Sequence, residues 1–476
     1  MKTEKFTPRI GTQTIGSSYW FTEQGPIIES AKGMLELGSD SIKIAACLKT
    51  PEEVISRLCE PELTVVFDMP FAFYHIWINP VDYALAENNQ VILKQNYDLI
   101  YRAACHLLKH YENTGKTFLL GNWEGDWLVL KNYDFNSAGD MDVINGFLAC
   151  MKVRQQAVED ARRDLNAQNV RVAHYVEVNR VFDAKDFGYN RLVNCVLPNV
   201  AVDMVSYSAY DSLWPVRITE ALCYIEKCAK FTGYFDGVFA KKVYIGEFDV
   251  YHDGIKFGYC NTTDQIKNFK CVITSALAFG APFAIHWEYY NNERSGKFCL
   301  VDAHGYKNEI HRWLKECNVR LKMFDLLYFW LVGEMPSVQY YAQMAASLFL
   351  PARSAWFRKL FDADYETCNL PGSLREETSA RAIFDKIAAQ TGLDSEYEGD
   401  EAAPLFLAVL QAIDKDSASI GESAFAEKYL PERFITPKKV FDAPLSTFDI
   451  FNQYLDSYSF GESVLRAAPG DCPFFR

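Results

Sequence analysis

The sequence predicts an α/β fold of the TIM type, a (β/α)8 barrel followed by a mainly helical C-terminal extension. Three observations carry that expectation. Short apolar runs recur from residue 10 to about residue 320. Amphipathic stretches with helix start and stop residues separate them. The runs number eight, the count that closes a parallel barrel. The chain then divides into a barrel over 1–325 and a mainly helical region over 326–476.

The elements follow in order. A first strand is expected over Thr12–Trp20. Gly25-Pro26 opens a helix through Leu37, with Gly38 suited to the position after its end. The second strand is SIKIAACL, Ser41–Leu48. Thr50-Pro51-Glu52-Glu53 then supplies an N-cap, a proline at the first helical position and a capping-box glutamate. A third strand is expected within Leu63–Phe73, and a helix from Asn89 to Tyr111. The fourth strand leads into GNWEGDW, Gly121–Trp127, and a long helix spans Asp142–Asn166. Strands five and six are VRVAHYVEV and VDMVSYSAY, followed by a helix at Arg217–Phe231 and strand seven, KKVYIGEFDV. A capping box at Thr262 and Gln265 opens the next helix, strand eight is APFAIHWEYY, and a helix at about Lys307–Lys322 closes the series. Beyond it, segments such as Ser373–Gln390 and Ala402–Ile413 have a helical texture.

Composition excludes several function classes. The formal charge is −14, which disfavours a nucleic-acid surface or an anionic membrane face. Thirteen cysteines, an odd number without any C-x-x-C, do not form a disulfide framework and fit free thiols in a reducing compartment. The start, MKTEKFTPRIGTQ, has no apolar run resembling a signal peptide. The expectation is a cytoplasmic protein with no membrane or nucleic-acid partner.

In a barrel of this kind the working residues sit at the C-terminal ends of the strands. Those ends collect Trp20, Lys43, Asp68, Asn122, Glu124, Asp126, Trp127, Glu177, Asn179, Tyr207, Tyr210, Glu247, Asp249, His286, Trp287 and Glu288. Carboxylates dominate. No H-x-H or H-E-x-x-H occurs, so neither a metal nor another cofactor is expected. Glu124 and Glu247 end apolar runs among aromatics, the setting for paired acid/base chemistry on a sugar.

These residues resemble the retaining glycoside hydrolases of clan A. That family has a (β/α)8 barrel with an Asn-Glu pair ending strand four and a nucleophilic Glu ending strand seven. It also carries a Tyr or His on strand six, a Trp on strand eight and usually an Arg on strand two. Over about residues 10–320 this sequence offers Glu124, Glu247, Tyr207 and Trp287 at the matching places. The resemblance implies Glu124 as acid/base and Glu247 as nucleophile, oriented by Tyr207. The implied substrate is a small oligosaccharide or glycoside, touched by Trp20, Lys43, Asp68, Asn122, Trp127, Glu177, Asn179, Tyr207, Tyr210 and Trp287. Two departures stand out: Trp123 intervenes between Asn122 and Glu124, and Lys43 stands where Arg is usual.

Each residue also has a plainer role. Glu124 suits a solvated turn, Glu247 a buried ion pair with Lys43, Trp287 a core position, and Asp68 and Glu177 salt bridges. His106 and His110 have the i, i+4 spacing of a metal pair but fit an outer helix surface. Two readings from different classes result: a retaining glycosidase, or a barrel that binds carbohydrate or scaffolds a partner without chemistry; a weaker third is another TIM-barrel hydrolase whose carboxylates hold a divalent cation. The C-terminal region is a candidate surface for homo-oligomerisation.

Overall fold

The computed structural model describes residues 9–318 apart from 131–132, 214–216, 240, 250–268, 270–271, 274, 277–278, 293–298 and 316–317. The capping box at Thr262 and the whole of 326–476 lie outside the described residues.

Eight parallel strands form a closed barrel: β1 (Arg9–Gln13), β2 (Ser41–Ala45), β3 (Phe73–Trp77), β4 (Thr117–Gly121), β5 (Arg171–Val178), β6 (Met204–Ser208), β7 (Val243–Phe248) and β8 (Phe283–His286). Each pairs with its chain neighbours, and β1 pairs with β8 to close the ring. The expected α/β barrel is therefore present.

Side-chain caps fix the starts of three helices. Thr50 caps Pro51–Leu58: its side chain accepts from the Glu53 amide, and the Glu53 carboxylate accepts in return from the Thr50 amide. Asn89 caps Gln90–His110 and Asp140 caps Met141–Leu165. Those two long helices lay Leu99, Ala103 and Leu107 against Phe147, Met151 and Val158, all fully buried. Each large apolar side chain so removed from water contributes about 1.5–3 kcal/mol. Among the described residues no helix is long and apolar enough to cross a membrane.

Two expectations need correction. Leu63–Asp68 is not a strand but part of a helix, Pro61–Asp68, which buries Leu63, Val66 and Phe67. Those positions follow the i, i+3, i+4 spacing of a helix face, and Pro61 is pre-set for its first turn. The true β3 begins at Phe73, so Asp68 is exposed and lies before the strand, on the face opposite its C-terminal end. The first strand likewise ends at Gln13, and Trp20 stands in the following loop, 52% exposed.

Inside the barrel the side chains form layers. Toward the strand starts, Phe73, His75, Tyr244 and Phe283 pack ring against ring. His75 is bonded at one ring nitrogen to Tyr244 and at the other to Ser41, and burial holds it neutral, well below the ordinary histidine range. Above this aromatic plug lies a polar layer, and it contains the candidate site.

Candidate active site

The polar layer is built from strand ends. On β6, Ser206 and Ser208 face inward, and Tyr207 between them points to the helix layer. The Ser206 hydroxyl donates to Glu177 Oε2 at 2.6 Å, and the Ser208 hydroxyl donates to Glu124 Oε1 at 2.7 Å. The Tyr207 hydroxyl instead donates to Asp211. Tyr207 is therefore not the residue that orients Glu247. That contact belongs to Tyr210, whose hydroxyl donates to Glu247 Oε1 at 3.2 Å.

Strict alternation along β7 would aim Glu247 away from the barrel, because Tyr244 and Gly246 already face in. An irregularity in register corrects this. Tyr207 is paired with Ile245, yet the next residue, Ser208, is paired with Glu247. The β8 side shows the same extra residue, with Ala284 opposite Ile245 and His286 opposite Phe248. A bulge of this kind re-aims one side chain, and here it turns Glu247 inward. Gly246 is required at that point: a Cβ there would meet Ser206 Oγ at 1.7 Å and Glu177 Oε2 at 2.9 Å.

Ser208 thus joins the two carboxylates that sequence singled out, its backbone paired with Glu247 and its hydroxyl on Glu124. Both side chains are largely buried, at 8% and 4% exposure. Burial pushes Glu124 up to about 7, against the hydrogen bond from Ser208. Burial, and next the charge of Glu124, push Glu247 well above the ordinary carboxylate range, while Lys43 and Tyr210 act the other way.

Lys43 and Glu177 form the floor. The Lys43 ammonium donates to Glu177 Oε2 and to the Gly246 carbonyl, each at 2.8 Å, and lies 3.7 Å from Glu247 Oε2. It also sits 4.4 Å from the Trp77 ring centre, a cation–π contact. The other Glu177 oxygen accepts the backbone N–H of Glu124 at 3.0 Å. That bond steadies an unusual backbone, since Glu124 has φ 20° and ψ 68°.

Asn122 and Asp126 have other tasks. The Asn122 amide donates to the Glu177 carbonyl at 3.0 Å and accepts from the Glu177 N–H at 3.2 Å, continuing the β4–β5 ladder with a side chain. Asp126 accepts from the amides of Asn179, Arg180 and Leu192, at the starts of the helices Val181–Phe187 and Leu192–Cys195. The Asp126 N–H in turn donates to Asn179 Oδ1 at 3.0 Å. These residues shape the β4 and β5 loops. His286, bonded to Asp249 Oδ1 at 3.1 Å, is held neutral by burial, down to about 3.

Aromatics complete the layer. Trp287 stacks on Trp77 with ring centres 6.1 Å apart, and Trp123 meets Trp77 edge-on. Asn79 accepts the Trp123 N–H at 2.9 Å, fixing that turn. Trp127 carries the Arg180 guanidinium 5.3 Å from its ring centre. Trp20, Asp68 and Tyr207 do not join this group. Sequence reasoning missed Ser206, Ser208, Trp77 and Asn79. The alternation of serines about Tyr207 was the available signal for two of them. Among the described residues no group of three or more His, Cys, Asp or Glu could hold a metal ion.

No protein-family model and no curated protein matches the chain. Solved structures do resemble it. A GH5-4 broad-specificity endoglucanase from Bacteroides salanitronis is 13% identical, with a TM-score of 0.43, over 66% of this chain and 92% of that one. A β-glucosidase from Exiguobacterium marinum is 11% identical, with a TM-score of 0.44, over 67% and 100%. A calcium-binding mutant of Bacteroides uniformis β-glucuronidase 2 is 12% identical, with a TM-score of 0.41, over 65% of this chain and only 34% of that enzyme.

Proposed function

We propose that this protein is a glycosidase that cleaves β-linked glycosides with retention of configuration, through a double displacement by two carboxylates. The observation that carries the reading is the link through Ser208, which pairs in register with Glu247 and hydrogen-bonds Glu124. Two buried carboxylates so joined at the C-terminal ends of barrel strands titrate as a pair and hold a shared proton.

The cycle needs the proton on Glu124 and a charged Glu247; burial and the neighbouring Glu124 oppose that charge, while the Lys43 ammonium and the Tyr210 hydroxyl, both against Glu247, favour it. In the first step the Glu247 carboxylate attacks the anomeric carbon while Glu124 protonates the departing glycosidic oxygen. The leaving group departs as an alcohol, and the sugar is left esterified to Glu247. In the second step Glu124, now a carboxylate, takes a proton from water. The resulting nucleophile attacks the same carbon, releasing Glu247 and restoring the proton on Glu124. A carboxylic acid poised at about 7 suits both halves of that cycle. The proposed substrate is an oligosaccharide or glycoside met in the cytoplasm.

One observation favours the non-catalytic alternative, a barrel that binds carbohydrate. Both ends of the Asn122 amide are engaged with the Glu177 peptide, so Asn122 does not supply a sugar hydroxyl with the contact the resemblance implies. Hydrolysis of a panel of aryl β-glycosides by wild type, Glu124→Ala and Glu247→Ala, with azide added, separates the two. Turnover lost at Glu247, with azide rescue yielding the expected glycosyl azide anomer, supports the proposal. Sugar binding without turnover across the panel supports the alternative.

A further inference from the structure

Arg154 and Arg191 head the fully buried side chains by size. Arg191 is fully engaged: its guanidinium donates to Asp183 Oδ2 and to the carbonyls of Asn190, Phe135 and Ser137. Arg154 is not. It projects from the helix Met141–Leu165, and its Nη2 donates to the Ile78 carbonyl, just past the end of β3. Its Nε and Nη1 are buried without a hydrogen-bond partner. Among the described residues the side chains that act on its charge are Cys150, Cys47 and Tyr175, and no carboxylate is one of them.

None of those three supplies a negative charge near neutral pH. Loss of hydration pushes Cys47 up to about 11, Cys150 up to about 12 and Tyr175 well above the ordinary phenol range. The guanidinium keeps its proton, since burial brings it down only to about 10. A lone ion sealed in a poorly polarisable interior is costly, and folds offset it with an opposite charge. His174 adds a second unpartnered group. Three residues before the inward-facing Glu177, it points to the helix layer. It is fully buried, neither ring nitrogen has a partner, and the nearby charge of Arg154 helps to hold it neutral. A neutral imidazole still carries one N–H to donate.

We infer that Arg154, with His174 as a second donor, binds a small anion of the chemistry of chloride in the layer between the helix Met141–Leu165 and the barrel. The inference makes no use of the glycosidase reading. Burial selects the class of ligand. Both side chains are sealed from solvent, so a phosphate, sulfate or organic acid would have to part the helix from the strands. A monatomic halide is smaller, sheds its water more readily and accepts N–H donors from any direction. The site also reaches the carboxylates through one strand end. The Ile78 N–H donates to the Gly121 carbonyl at 2.7 Å, and the adjoining Asn79 accepts the Trp123 N–H at 2.9 Å, immediately before Glu124. An anion that fixes the guanidinium fixes the Ile78 carbonyl, and with it the turn that carries Glu124.

The test exchanges the full chain into sodium gluconate and titrates it with sodium chloride or sodium bromide at constant ionic strength, reading the melting temperature. The expected result is a rise that saturates, reaching about 3 °C at about a hundredfold excess over the half-saturating concentration. Arg154→Met should lose the saturable rise. Wild-type crystals grown in bromide should show an anomalous peak in contact with the Arg154 guanidinium. A change that never saturates, an equal rise in Arg154→Met, or water alone at the guanidinium in the bromide crystals overturns the inference. The wild-type crystals decide even where Arg154→Met fails to fold.

Discussion

The Lys43 ammonium and Glu177 form an ion pair at 2.8 Å in which both side chains are all but inaccessible to water. Removing one partner from such a pair strands the other charge in a poorly polarisable interior. Lys43→Met should therefore lower the unfolding free energy by about 3–5 kcal/mol, read from urea midpoints. A loss below about 1 kcal/mol would mean that Glu177 finds another donor or takes up a proton.

Glu124 gives stability a definite pH dependence. Its folded value of about 7 lies above the ordinary 4.5, so between those limits the native state holds a proton that the unfolded chain has released. Stability then falls as pH rises through that window and levels off above it. Glu124→Gln removes the penalty, so its stability relative to wild type should improve between pH 4.5 and pH 8, by about 1–3 kcal/mol. Parallel unfolding curves of the two proteins across that range would contradict the assignment.

Ser208 should set where the acid is lost. Its hydroxyl bond favours the charged form of Glu124, so Ser208→Ala should move the alkaline limb of kcat/KM to higher pH. The cost in stability should be about 1 kcal/mol. An unmoved limb would separate Glu124 from the proton transfer.

Two neighbouring tyrosines should behave differently. Tyr210→Phe removes the hydroxyl on Glu247 and should lower kcat about tenfold or more, the scale at which one positioned donor acts. Tyr207→Phe leaves Asp211, which burial pushes up to about 7, without its phenol donor. It should appear mainly as a lower melting temperature.

Gly246→Ala should disturb the fold and the site together. The added methyl would collide with Ser206 Oγ, and overpacking of this sort costs about 1–3 kcal/mol. Relief by straightening the bulge would swing Glu247 out of the barrel. Activity should then fall further than the unfolding midpoint alone accounts for, a comparison made by measuring both on one preparation.

The barrel was legible because its grammar is local. The Thr50 capping box, the N-terminal Asn89 and the left-handed Gly38 (φ 77°) are written in short stretches that need no partner. The carboxylates at the ends of β4 and β7 were legible for the same reason, as charges ending apolar runs. The segment at Leu63–Asp68 misled because Thr64, Val65 and Val66 are β-branched residues at home in strands. There packing decided, since only a helix buries Leu63, Val66 and Phe67 on one face. The bulge at Gly246 had no sequence signature beyond the glycine. Without it, alternation gives no way to tell that Tyr210 rather than Tyr207 reaches Glu247. The double use of Asn122 was hidden as well, because its partners on β5 are more than fifty residues away.

The exchange of Asn122 with the Glu177 peptide has a spectroscopic consequence. The amide hydrogen of Glu177 is held by the Asn122 side chain, and that of Glu124 by the Glu177 carboxylate, rather than by main-chain carbonyls. Swinging either side chain away would expose the corresponding amide to deuterium while the surrounding sheet stayed closed. Exchange at these two amides therefore monitors the integrity of the polar layer separately from unfolding of the barrel.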